Sequence, residues 1–294
     1  MRIFLTGATG YIGAAVAEAL EAAGHTVAPL ARSVDADQDL RRRGLTPFRG
    51  DLRNPDSLTA PVTACDGVIH AGTTNDGRVD TDAVTKMLEA LRGSGKPFIY
   101  TSGVWVYGNT GDRIADEESP LNPIPLVAWR PTAERIVLDA AVRSVVIRPA
   151  IVYGRAAGIL GDFVQSARES NAARFVGDGR NRWPLVHVED LADLYVRALD
   201  HAPAATVLNA ADGPSLKVRA LAEAASFGAD AGGNTEAWPL AQARATLGAY
   251  ADALVLDQQV SSQKARTLLG WTPHAASPIE ELRFGSYALP RVSP

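Results

Sequence analysis

Three glycines at three-residue spacing, Gly7, Gly10 and Gly13, stand in the opening stretch Met1-Arg-Ile-Phe-Leu-Thr-Gly-Ala-Thr-Gly-Tyr-Ile-Gly13. Before them, Arg2 to Thr6 is an apolar run long enough for a buried strand. After them, Ala14 to Ala23 is alanine-rich with helical periodicity. A strand, a glycine turn and a helix in that order make a seat for a dinucleotide. Gly7 permits the tight turn, Gly10 lets the main chain approach a pyrophosphate, and Gly13 lets the helix pack close to the strand. Free N–H groups at the helix start then face the phosphates. A bare glycine triplet is an ordinary turn; its place between strand and helix gives it chemistry.

Other groups capable of chemistry read as structural. His70 lies in an apolar strand and is expected to be a packed histidine rather than a base. His187, before Val188, is expected to be a structural hydrogen-bonder. Glu117-Glu118 and the pair Asp35/Asp37 read as solvated loop charges. No His/Cys/Asp cluster has metal-ligand spacing, so no metal is expected. Cys65 is the only cysteine, which leaves no internal disulfide, and its neighbours make it a small buried residue.

The elements that must position the glycine turn follow from the pattern of the chain. Apolar runs at 26–30, 45–49, 67–71, 97–101, 145–148 and 206–209 read as strands. Between them, 35–43, 55–60, 81–91, 132–141 and 188–199 read as helices; Val84, Met87, Leu88 and Leu91 share one face. Pro131 and Glu134 suit a helix start. Strands alternating with helices predict an α/β fold with a parallel, doubly wound Rossmann sheet and right-handed crossovers. Its ligand belongs beyond the carboxyl ends of the strands. The expected division is residues 1–155 plus 187–210 for dinucleotide binding, and 156–186 plus 211–294 for a smaller mixed substrate lobe.

The 294 residues are 46% hydrophobic and 21% charged with net charge −4, values of a globular protein. Arg41-Arg42-Arg43 is the one basic block and reads as the solvated end of a helix, so nucleic acid is not an expected partner. No apolar run approaches the ~18 residues needed to span a bilayer. The N-terminus reads as a strand rather than a cleavable leader, and a cytoplasmic protein acting on a small molecule is the simplest expectation.

Seven segments recur in a telling order. They are Thr6-Gly-Ala-Thr-Gly-Tyr-Ile-Gly13, Asp51-Leu52, Val68-Ile-His-Ala-Gly72, Tyr100-Thr-Ser-Gly-Val-Trp-Val-Tyr-Gly108, Ile147-Arg-Pro-Ala-Ile-Val-Tyr-Gly154, Val186-His-Val-Glu-Asp-Leu-Ala192 and Leu268-Leu-Gly-Trp-Thr-Pro273. Together they resemble the extended short-chain dehydrogenase/reductase superfamily and, within it, the NAD-dependent epimerase/dehydratase family. The resemblance covers nearly the whole chain. It implies that Gly7, Thr9, Gly10, Tyr11, Ile12 and Gly13 hold the pyrophosphate, and that Asp51 and Leu52 lie beside the adenine. It places Ala71, Gly72 and Thr73 on the adenine ribose side and Pro149 by the nicotinamide. Asp51 reads equally as a helix cap before Asn54 and Pro55.

In the NAD-using relatives an acid ends the second strand and accepts both ribose hydroxyls. The matching position here is Ala31, followed by Arg32 and Ser33. With the carboxylate gone, a 2′-phosphate meets no repulsion, and Arg32 offers a planar fork for it. NADP(H) is therefore expected over NAD(H).

The catalytic positions depart from the family. Its working pair is a Tyr and a Lys spaced YxxxK, and none of the four lysines, Lys86, Lys96, Lys217 and Lys264, lies four residues after a tyrosine. Counting back from Glu134, the Tyr slot falls at Leu126 and the Lys slot at Arg130. Leu has no proton to give, and Arg holds ribose hydroxyls or an anion without relaying a proton. Ser102 stands at or one place before the family's hydroxyl slot. The groups left as proton donors are Ser102, Tyr107, Tyr153 and His187. Two readings stay open: an oxidoreductase or epimerase-like enzyme with an atypical donor, and a non-catalytic NADP(H)-binding redox sensor. For the substrate, Arg182 matches a position that holds phosphate in nucleotide-sugar epimerases, and reads equally as a surface arginine or a salt-bridge partner. Trp105 and Trp129, with Trp183 and Trp238, instead suit an apolar pocket. A homodimer through two sheet-flanking helices would fit the family.

Overall fold

The alternating runs form one seven-stranded parallel sheet in the computed structural model, which describes residues 1–289. Its strands are β1 (Arg2–Thr6), β2 (Thr26–Ala31), β3 (Phe48–Arg49), β4 (Gly67–His70), β5 (Pro97–Thr101), β6 (Arg143–Pro149) and β7 (Thr206–Ala210). The spatial order is β7-β6-β5-β4-β1-β2-β3, so the winding reverses between β1 and β4. Leu5 pairs with Ile69, and Ile99 with Val145.

Alternation of side chains divides the sheet between two layers. Ile3, Leu5, Ile69, Ile99, Val145 and Ile147 face helices α1 (Tyr11–Ala22), α2 (Val34–Arg42) and α7 (Val188–His201). Phe4, Val68, Phe98, Tyr100 and Val146 face α3 (Thr59–Ala64), α4 (Gly77–Leu91) and α5 (Arg130–Leu138). On α4 the expected face of Val84, Met87, Leu88 and Leu91 is the buried one.

The elements differ from expectation mostly at their ends. The strand read over 45–49 shortens to Phe48–Arg49, with Leu45 buried before it. The helix read over 81–91 begins earlier, at Gly77, because the Asp76 carboxylate accepts from the Arg78 and Val79 N–H groups.

A second, smaller core gathers Ile151, Tyr153, helix α6 (Ile159–Ser170), Phe175, Trp183, helix α8 (Val218–Gly228), Leu282 and Tyr287. The stretch Val260 to Trp271, assigned by sequence to the smaller lobe, instead packs Ala265, Leu269 and Trp271 into the main core against α7. The Trp271 indole N–H donates to the Asp190 carbonyl at 2.8 Å. The last five positions of the expected lobe, 290–294, lie outside the described residues.

Candidate active site

Every segment singled out in the first half of the chain ends at the same edge of the sheet. The turn after β1 is shaped by steric necessity. Gly7 has φ +79°, and a Cβ there would lie 2.7 Å from the Ala71 carbonyl carbon and the Gly72 nitrogen. A Cβ on Gly13 would lie 2.1 Å from the Gly7 carbonyl oxygen. Gly10 is different, since its Cβ would meet only the Gly7 oxygen, at 3.2 Å. Gly10 caps α1 without a side-chain hydrogen bond, and no acidic residue stands in the first turn. The first-turn N–H groups are thus left for an anion.

A cavity of about 320 Å³ opens here. Gly7, Thr9 and Gly10 line it from β1, Arg32 and Ser33 from the end of β2, Asp51 and Leu52 from beyond β3, and Ala71, Gly72 and Thr73 from beyond β4. Arg32 is exposed and makes no ion pair among the described residues. The Ser33 hydroxyl caps α2 by accepting from the Ala36 N–H at 3.1 Å. Asp51 also makes the local turn allowed for it, its carboxylate accepting from the Arg53 N–H at 2.9 Å. The Ala71–Thr74 loop is tied down by the buried Asp80, which accepts from the Thr73 hydroxyl and, at 2.8 Å, from the Thr74 N–H.

Across the point where the winding reverses lies a second cavity of about 250 Å³. Ile12 lines it from the first turn of α1, Ser102 and Trp105 from beyond β5, Leu126 and Arg130 from one wall, and Pro149 from the end of β6. Leu126 and Arg130, the two positions matched to the family's Tyr and Lys, thus both face it. The Arg130 guanidinium donates to the Thr101 carbonyl at 2.9 Å and lies over the Trp129 ring, 4.8 Å from its centroid. Ser102 is 7% exposed, and its hydroxyl has no hydrogen-bond partner among the described residues.

Several expected site residues are not brought there. The Tyr107 hydroxyl donates to the Asn209 carboxamide at 2.8 Å and accepts from Arg148 at 2.7 Å, and burial raises its pKa. The Tyr153 hydroxyl donates to Asp212 at 2.7 Å and also contacts the Ala276 carbonyl at 2.9 Å; burial, then Asp212, raise its pKa. Neither tyrosine lines the cavity. Both are committed to the framework. The Tyr11 hydroxyl likewise donates to the Gly154 carbonyl at 2.7 Å. Arg182 is corrected as a phosphate ligand: Asp257 grips it at 2.9 and 2.7 Å and Asp112 at 3.1 Å. Trp129 lies over Gly77, where a Cβ would sit 2.4 Å from its ring, and does not line the cavity.

His70 and His187 both make contacts within the framework. His70 is 2.7 Å from the Thr6 hydroxyl and stacks on Tyr100; burial pushes its pKa down to about 4. His187 caps α7 by accepting from the Glu189 N–H at 3.3 Å. Among the described residues no group of three or more His, Cys, Asp or Glu is placed to hold a metal, and no helix is long and apolar enough to cross a membrane. Asn75, which also lines the second cavity, escaped the sequence reading. Its φ of +61° belongs to the turn that Asn75-Asp76-Gly77 spells, which was the available signal.

A doubly wound parallel sheet, a glycine turn under an uncapped helix start and paired cavities on either side of the reversal define a dinucleotide-binding protein. The chain belongs to the NAD dependent epimerase/dehydratase family, whose model matches residues 3–211. It is 29% identical over 299 residues to an uncharacterized protein of Schizosaccharomyces pombe, covering 98% of this chain and 100% of that protein. Among solved structures it is similar to Thermus thermophilus UDP-glucose 4-epimerase in complex with NAD, at TM-score 0.78 and 21% identity over 98% of this chain and 99% of that one. It is also similar to the human epimerase family protein SDR39U1 with NADPH, at TM-score 0.76 and 22% identity over 98% and 100%.

Proposed function

We propose that the protein is an NADP(H)-dependent oxidoreductase that interconverts a small carbonyl compound and its alcohol. The observation that carries this reading is Ser102, a buried hydroxyl without a partner among the described residues, in the wall of an otherwise mostly apolar cavity. An unsatisfied buried hydroxyl costs about 1–3 kcal/mol, and a substrate oxygen would relieve that cost. When bound, the dinucleotide supplies or accepts a hydride. Gly7, Thr9 and Gly10 with the first turn of α1 hold its phosphates, Asp51 and Leu52 flank the adenine, and Ala71 to Thr73 border the ribose. Arg130 binds the second ribose, and Pro149 orients the ring beside it. Ser102 donates a hydrogen bond to the carbonyl oxygen, and water supplies the proton, because among the described residues no tyrosine lines the cavity.

Preference for the phosphorylated cofactor rests on Arg32. It lines the adenine-side cavity with no ion pair among the described residues, and no carboxylate stands at Ala31 to oppose a phosphate. Titrating both reduced cofactors by fluorescence tests this, and tighter NADH binding would sink it. Arg32→Asp should reverse the preference. NADPH oxidation against a panel of ketones, aldehydes and enones tests the enzyme itself. Tight NADPH binding with no turnover on any of them would favour a redox sensor.

A further inference from the structure

Beside the cavity at Ser102 lies a third, of about 240 Å³, inside the smaller core. Phe163, Phe175, Trp183, Trp238, Tyr250 and Leu254 line it. Phe163 and Trp183 stack with centroids 5.7 Å apart and planes within 6°, which makes a flat aromatic wall. Ile159 lines both cavities, and Trp105, on the first, meets Tyr250, on the second, edge to face at 6.1 Å. The two cavities therefore share a wall.

Of the polar side chains that line the aromatic cavity, Arg174 and Ser166 are committed, while Asp162, at an exposed position, and the Tyr250 hydroxyl make no hydrogen bond or ion pair among the described residues. Arg174 pairs with Glu236 at 3.0 Å and lies over the Trp238 ring. The Ser166 hydroxyl donates to the Phe163 carbonyl and accepts from the Arg174 N–H, each at 2.9 Å. Arg182, next to Trp183 in sequence, is held by Asp257 and Asp112. A pyrophosphate would find these arginines already paired. Each sugar hydroxyl buried here would give up water at a cost of about 1–3 kcal/mol.

We propose that this aromatic cavity seats an apolar, ring-bearing arm of the substrate whose reacting oxygen sits at Ser102, so that the substrate is an aryl-alkyl ketone, aldehyde or alcohol. The inference rests on the oxidoreductase reading above. An apolar cavity of roughly 150 Å³ accepts benzene. The volume here holds one six-membered ring with a short alkyl link, and Ile159, common to both linings, sets that link next to the cavity at Ser102.

Two measurements on the full chain test the inference separately from the enzyme reading. Binding of propylbenzene, which has the arm and no reacting oxygen, is followed by saturation-transfer NMR in wild type and in Leu247→Trp, whose indole fills the cavity. Saturable binding in wild type that is lost in the variant is expected. Unfolding temperature and NADPH binding verify that the variant is folded, and Val176→Phe serves if it is not. The second measurement compares kcat/KM for 4-phenylbutan-2-one and butan-2-one, with the aryl ketone expected to lead by at least about tenfold. If propylbenzene does not bind while butan-2-one is reduced, the arm site is wrong and the oxidoreductase stands. If propylbenzene binds and the variant excludes it but neither ketone reacts, the site stands and the oxidoreductase reading fails. Equal kcat/KM for the two ketones, or displacement of propylbenzene by a UDP-sugar, overturns the inference.

Discussion

Ser102 owes its place to the main chain: its N–H donates to the Ile147 carbonyl at 2.8 Å, just beyond the end of β5, so the residue is fixed while its hydroxyl is free to turn. If that hydroxyl binds the substrate oxygen as charge develops, Ser102→Ala should slow turnover about ten- to a thousandfold. A parental rate with unchanged KM would reduce Ser102 to a structural serine. Arg130 has a different task. Its guanidinium is anchored by the Thr101 carbonyl and the Trp129 ring, and its planar set of donors suits holding ribose hydroxyls rather than relaying a proton. Arg130→Ala should raise the NADPH dissociation constant, and Arg130→Lys should restore it only in part, because an ammonium lacks the flat fork that stacks and donates. Activity should then lack the alkaline dependence of a lysine-assisted tyrosinate. A pH profile with that dependence would mean that a phenol reaches the site after all.

Among elements, the turn from β1 into α1 makes a sharp distinction between glycines. Gly13→Ala puts a methyl 2.1 Å from the Gly7 backbone oxygen, so the helix must shift away from the turn. That should cost about 1–3 kcal/mol of stability, besides weakening cofactor binding. Gly10→Val meets only one atom, at 3.2 Å, so the fold should keep most of its stability while the side chain takes the pyrophosphate's place. Thermal unfolding with and without NADPH separates the two; equal loss of stability in both would refute the assignment. Elements of this kind were legible in the sequence because glycine spacing and a 3.6-residue period are local properties. Contacts between distant segments were not. Arg182 read equally as a phosphate ligand or a salt-bridged arginine because nothing near it in sequence announces Asp257, 75 residues away. Tyr107 and Tyr153 looked available for the same reason: their partners Asn209 and Asp212 stand 102 and 59 residues further along the chain. Trp183 and Trp238 suited an apolar pocket, but only the packed lobe places them in a cavity apart from Trp105.

At the scale of the whole molecule, the junction of sheet and lobe is built on Asp212, just after β7. It accepts from the Tyr153 hydroxyl at 2.7 Å and the His187 N–H at 3.2 Å, while Arg266 donates to its carbonyl oxygen at 2.7 Å. Burial pushes the Asp212 carboxyl up to about 6, with nearby Asp190 adding to the rise and the two donated hydrogen bonds opposing it. The folded protein thus binds this proton more tightly than the unfolded chain, whose aspartate titrates near ~3.9. The associated stability is present below about pH 4 and is lost as pH rises through about 6, by roughly 3 kcal/mol over the whole range. His70 acts in the opposite direction. Held neutral down to about pH 4, it costs stability as acid protonates the unfolded chain below ~6.5. The two largely offset each other in wild type. Asp212→Asn keeps an acceptor for Tyr153 and removes the titration, so it should expose the His70 loss. Urea unfolding at pH 7 and pH 4 should show the variant's stability relative to wild type falling by roughly 2 kcal/mol on acidification. A difference that does not change with pH would mean that Asp212 titrates normally, and that the junction is open to water.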